Sequence, residues 1–130
     1  MWRDDARLLD ILLAAKELEK YTEGVSLEAF NADRLLQHAV SRLLEIVGDS
    51  ARNVSNEYKT AHPEVPWTRI VGVRDRLIHE YFRIAPDKVW EVVTRDMVAL
   101  IAQIEPLVPP EGPRQPGGTP DDLHEEKNKK

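Results

Sequence analysis

From Leu8 to Ile104 the apolar residues of this chain return at steps of three and four, and no segment alternates at steps of two. That spacing follows the turn of an α-helix and leaves no strand from which to build a sheet, so the chain is committed to helices packed on helices. Leu8, Ile11, Leu12, Ala15 and Leu18 predict a first helix from about Arg3 to Glu23, which Gly24 stops as a residue suited to a left-handed turn. Ser26 is a good N-cap for a second, opened by Glu28-Ala29-Phe30 and carried on through Leu36, Val40, Leu44, Val47, Ala51 and Tyr58. A helix from Leu27 to about Lys59 would be roughly 50 Å long. A bend is therefore expected in it, with Gly48 the least costly place. The prolines of His62-Pro63-Glu64-Val65-Pro66 make a loop, and Pro66 or Trp67 starts a third helix that runs past Ile70, Leu77 and Tyr81. Pro86 suits the first turn of a fourth, which carries Val89, Trp90, Val93, Met97, Leu100 and Ile104 and ends before Pro106. The economical arrangement is all-α, an antiparallel four-helix bundle, with Trp67 and Trp90 as core anchors.

The helical pattern occupies residues 1–107, one domain, and the composition changes after it. Residues 108–130 hold five of the nine prolines and three of the six glycines, and Leu123 is the one large apolar residue past Val108. Such a segment cannot bury enough apolar surface to offset its ordering entropy, so a disordered tail is expected. No apolar run approaches the ~20 residues of a membrane span, and Asp4 and Asp5 do not suit a secretory leader. Cysteine is absent, which removes disulfides and thiolate metal ligation and points to the cytoplasm. The four histidines fall in no metal-binding spacing, so no metal and no cofactor is expected.

A net charge of −5 argues against broad, nonspecific coating of nucleic acid. The charge is uneven, however. Arg69, Arg74, Arg76 and Arg83 face only Asp75 and Glu80 between residues 69 and 83, a local surplus that suits a focused phosphate site. Within it, Arg74-Asp75-Arg76-Leu77-Ile78-His79-Glu80-Tyr81 sets out an R-x4-H-x-Y string. Arg is a permanent cation able to neutralise a developing phosphorane, and His moves protons near neutral pH. On an ideal helix Arg74 and His79 stand about 140° apart, so two adjacent stripes result, Arg74 with Tyr81 and Asp75 with His79. Asp75 could then orient the imidazole and favour its protonated form. The plainer alternative is a solvated helix face with weak pairs such as Arg76 with Glu80, and a Tyr81 that merely packs. A site on one helix is shallow, and two copies paired across a dimer would deepen it.

The string, the His62-Pro63-Glu64-Val65-Pro66-Trp67 turn before it, Phe82 after it, Ala39 to Gly48 and Val89-Trp90 together resemble HepT-type HEPN proteins, the toxin half of HEPN/MNT toxin–antitoxin pairs. The likeness spans roughly residues 3–107. It implies an all-helical homodimer with metal-independent endoribonuclease activity in a type VII-like system, acting on tRNA or mRNA. By position, Arg74 and His79 are the catalytic pair, Asp75 a supporting member, and Tyr81 the residue that the cognate MNT nucleotidyltransferase antitoxin modifies with AMP. One departure is visible: Gly48-Asp49-Ser50 stands where the family often has Gly-Glu-Ala, which shortens a carboxylate. A second function remains open, a helical binding partner of a minimal nucleotidyltransferase with no turnover of its own.

Overall fold

The computed structural model describes residues 2–78 and 86–110, with the side chains of residue 2 and of residues 76–78 outside that description. The regular elements among the described residues are all helices, with no strand among them. Helix α1 spans Trp2–Thr22, α2 Leu27–Ala32, α3 Arg34–Arg52, α4 Asn56–Ala61 and α5 Trp67–Ile78. Helix α6, Pro86–Glu91, runs through a π-helical turn, Val92–Asp96, into α7, Met97–Ile104, and a 3-10 turn at Glu105–Leu107 closes the series. No helix among the described residues is long and apolar enough to cross a membrane. The expected tail lies almost wholly outside the described residues; Val108 still packs against the core.

The core is the stripe the spacing anticipates. Leu8, Ile11 and Leu18 of α1, Val40, Leu44 and Val47 of α3, and Leu100 and Ile104 of α7 are almost wholly buried. Helix α1 packs on α3 and α7, and α3 packs in turn on α5. Trp67 buries its ring and donates its indole N–H to the His62 carbonyl at 3.0 Å, which fastens the proline loop to the start of α5. Trp90 lies against Phe30 with ring centroids 4.7 Å apart, joining α6 to α2. Gly24 has a φ of +73° past the end of α1, the left-handed turn expected of it.

The single long helix from Leu27 to Lys59 is not formed, and Gly48 lies inside an unbroken α3. The expected helix breaks twice, each time at a side chain that caps the next helix. Asp33 leaves helical geometry, and its Oδ1 accepts from the Leu36 amide at 3.0 Å. Ser55 does the same for α4, accepting from the Tyr58 amide at 3.1 Å. Asp4 fixes this second break from below: it is buried, and its two oxygens accept from the Ser55 amide at 2.8 Å and the Ser55 hydroxyl at 2.7 Å. A short polar side chain offers the backbone a partner outside the helix, and at both breaks that competition prevails over a continuous apolar stripe.

Candidate active site at a helix crossing

The site is built on a close approach. Gly48, in the middle of α3, faces Arg74 of α5: a Cβ placed on Gly48 would stand 2.3 Å from the Arg74 Cβ. Carbon atoms rest at about 3.5–4.0 Å, so only a residue without a side chain lets the two backbones come this near. Gly48 thus serves a contact between helices, a part that the spacing of the sequence does not announce.

The approach sets Arg74 among carboxylates. Its Nε lies 2.7 Å from Oδ1 of Asp49, the residue next to the glycine, and its Nη1 lies 3.3 Å from Oδ1 of Asp75. The same Asp75 oxygen accepts from Nη2 of Arg52 at 2.7 Å. Two arginines and two aspartates, one of each from α3 and one of each from α5, therefore alternate around the crossing. Partial desolvation works to lower the Arg74 pKa. The Asp49 charge, hydrogen bonds to Asp75 and Asp49, and the Asp75 charge outweigh it, so the pKa is raised above the ordinary guanidinium value. Arg74 is accordingly a permanent cation whose Nε and Nη1 face the two carboxylates.

Of the residues singled out from the sequence, Arg74 and Asp75 are placed together at this crossing. His79 and Tyr81 lie outside the described residues, as do the expected Asp75–His79 contact and the Arg76–Glu80 pair. Asp75 spends one oxygen on two guanidinium groups. The local surplus of arginine is a surplus along the chain more than in space: Asp49 answers Arg74, and Asp96 takes both Nε and Nη2 of Arg69, at 3.2 and 2.9 Å. The spacing of the string gives no part to Asp49 and Arg52. Their signal lies instead in Gly48-Asp49 and in the three-residue step from Asp49 to Arg52, which puts both on one face of α3. His38 is exposed, and His62 is a loop residue whose Nδ1 stands 3.2 Å from Glu64 while its ring stacks on Tyr58. Neither bonds to a residue of the crossing among the described residues.

The described residues thus define an all-α domain in which a glycine-enabled crossing of two helices seats the arginine of an R-x4-H-x-Y string against two carboxylates. Residues 11–107 match the family described as Ribonuclease HepT-like, and the chain belongs to that family. It is 38% identical over 100 residues to the "Probable ribonuclease HepT" of Thermococcus cleftensis, an alignment covering 77% of this chain and 91% of that protein. A protein of Methanocaldococcus jannaschii, provisionally named an RNase, is 34% identical over 100 residues, covering 77% and 92% of the two chains. A third, from Caldanaerobacter subterraneus subsp. tengcongensis and named in the same way, is 36% identical over 98 residues, covering 75% and 88%. No solved structure matches the chain.

Proposed function

We propose that this protein is a metal-independent endoribonuclease, the toxin of a type VII-like HEPN/MNT pair, working as a homodimer of antiparallel four-helix bundles. The RNA 2′-OH attacks the adjacent phosphorus, and the 5′-oxygen leaves with the electron pair of the P–O bond. The products end in a 2′,3′-cyclic phosphate and a free 5′-OH. His79 moves the proton, and Arg74 offers its guanidinium to the charge that develops on the phosphorane oxygens. A positioned histidine contributes about 10²–10⁴-fold, and removal of one charge-stabilising donor costs about 10²–10³-fold. Asp75 supports the site by holding Arg74. Tyr81 is the off switch: its phenol oxygen attacks the α-phosphorus of ATP on the antitoxin, pyrophosphate leaves, and the AMP left behind places an anion beside the arginine.

The observation that carries this reading is the seating of Arg74 by Gly48, Asp49 and Asp75 in a chain that belongs to a ribonuclease family. A guanidinium fixed in advance needs no reorganisation when charge appears on the substrate. The second reading, a binding partner without turnover, draws on the same ion pairs, because an arginine occupied by two carboxylates can be purely structural. Cleavage of RNA by the purified homodimer, in the presence of EDTA, separates the two. Arg74→Ala and His79→Ala should each abolish cleavage while helical content is kept. Persistent cleavage in both variants removes the catalytic assignment, activity restored only by added Mg²⁺ removes metal independence, and a fully active monomer by light scattering removes the dimer.

A further inference from the structure

Away from the Arg74 crossing, α5 borders a second polar feature. Arg69 stands about 140° around the helix from Arg74, on the side that faces α6 and the π-helical turn. Between them lies an open cleft of about 300 Å³ lined by Arg69, Lys88 and Arg95 together with the carboxylates of Glu91 and Asp96. The cleft continues past Arg69, Val73 and Asp96 into a smaller one of about 170 Å³ with apolar walls from Ile70, Met97 and Leu100 and the exposed Ala99 at its rim. Cations outnumber acids in the first part by one, in a chain whose net charge is −5.

The three cations differ in how firmly they are held. Both Nε and Nη2 of Arg69 bond to Asp96, whose carboxylate is the less exposed partner, so Arg69 is oriented across the cleft. Arg95 is 3.6 Å from Glu91, and both side chains are mostly exposed. Such a pair contributes about 0–1 kcal/mol, so a phosphate can take Arg95 over at small cost. Lys88 has no partner among the described residues. Lys88 and Arg95 are separated by roughly 10 Å along the helix axis, far enough to meet different phosphates. The π-helical turn at Val92–Asp96 lines the cleft with Val92, Arg95 and Asp96, and single turns of this kind inside α-helices are frequent at functional sites.

We propose that this two-part cleft binds one nucleotide, its phosphates on Arg69, Lys88 and Arg95 and its base against the apolar walls. A cavity with apolar walls and a few placed charges is the usual build of a site for a small anionic ring compound. Resting on the nuclease reading, the nucleotide is a unit of the RNA strand held at a distance from the scissile bond. That supplies the phosphate contacts that Arg74 and His79 are too few to provide on an acidic protein. A free mononucleotide, with one phosphate, fits part of the same cleft, and the experiment separates the sources.

Binding is measured by fluorescence anisotropy with a short labelled single-stranded RNA and by calorimetry with AMP alone. The full-length chain carries His79→Ala to stop turnover, with and without the pair Lys88→Gln and Arg95→Gln. Ala99→Glu, at an exposed position, is a third arm that places a carboxylate at the mouth of the apolar part. Circular dichroism melting serves as the folding control. The charge pair should weaken RNA binding about tenfold and flatten the salt dependence by about 1.4, at roughly 0.7 per lost phosphate contact on a single strand. Ala99→Glu should weaken it as well. AMP bound by the parent and lost in the variants assigns the cleft to a free nucleotide, whereas RNA binding alone assigns it to the strand. Unchanged affinity and salt slope in all the folded variants overturns the site. Cleavage by the otherwise wild-type protein is measured alongside: if it persists while the cleft variants bind normally, the cleft fails and the nuclease stands. No cleavage, with binding that still depends on Lys88 and Arg95, fails the nuclease and keeps the cleft.

Discussion

Replacing Gly48 with alanine tests the construction of the site with the smallest possible change. The added Cβ would stand 2.3 Å from the Arg74 Cβ and 3.1 Å from its Cγ. An ordinary carbon contact needs about 3.5 Å or more, so α5 must withdraw by about 1.2 Å or slide, because Cβ atoms cannot rotate aside. Two effects on stability oppose one another. Overpacking of this kind costs about 1–3 kcal/mol, while alanine in place of glycine in a helix interior returns about 1 kcal/mol. The net loss should be about 0–2 kcal/mol, small enough for the protein to remain folded. Function is expected to fare worse, because a displacement near 1 Å at a reacting group can cost about 10²-fold in rate, and the Arg74–Asp49 contact at 2.7 Å spans the gap that must open. Urea denaturation and RNA cleavage on the same preparation measure both. Gly72 of α5 is the internal comparison, since a Cβ there meets nothing within 4 Å. Gly72→Ala should therefore raise stability by about 0.5–1 kcal/mol. If Gly48→Ala is stabilised to the same extent and cleaves RNA as fast as the parent, the close approach has no part in seating Arg74.

Tyr81→Phe should stay folded and escape modification when incubated with the partner nucleotidyltransferase and ATP; intact-mass addition of AMP to this variant would place the switch on another residue. Asp4→Ala removes both acceptors of the half-buried Ser55; a fully buried donor left unsatisfied costs about 1–3 kcal/mol, and each of these should cost about 1 kcal/mol. The melting temperature should fall by about 4 °C or more per kcal/mol for a domain of this size, with Asp4→Asn intermediate because one carbonyl acceptor remains. A melting temperature unchanged in Asp4→Ala would mean that water replaces the carboxylate without loss.

The parts of the fold that were legible in the sequence are those governed by one helix at a time. The start of α5 at Trp67, the stop at Gly24, the cap at Ser26 and the first helical turn at Pro86 each depend on residues within a turn or two of each other. The break at Asp33 was hidden because Phe30, Leu36 and Val40 keep an apolar face on both sides of it, although an aspartate able to cap was in plain view. The break near Ser55 was harder, since the group that secures it is Asp4, far away in the chain. The π-helical turn left no mark at all: Val89, Val93, Met97, Leu100 and Ile104 read as one regular stripe.

The site shows the same division. The R-x4-H-x-Y string is local and easily read, but charge counted along a helix is not charge counted around a side chain. Arg69 and Arg74 looked like part of a bare surplus, yet each is met by a carboxylate from another element, Asp96 and Asp49. Those pairings change what the arginines can do. A bare guanidinium would attract any phosphate that approached. Arg74, tied at Nε and Nη1, can use fewer of its donors and in fewer directions, which trades general affinity for orientation. Periodicity cannot report such a trade, because it depends on which two helices touch and how closely. The one local sign of it is Gly48, a residue that weakens α3 wherever it serves no contact and that here admits the Cβ of Arg74.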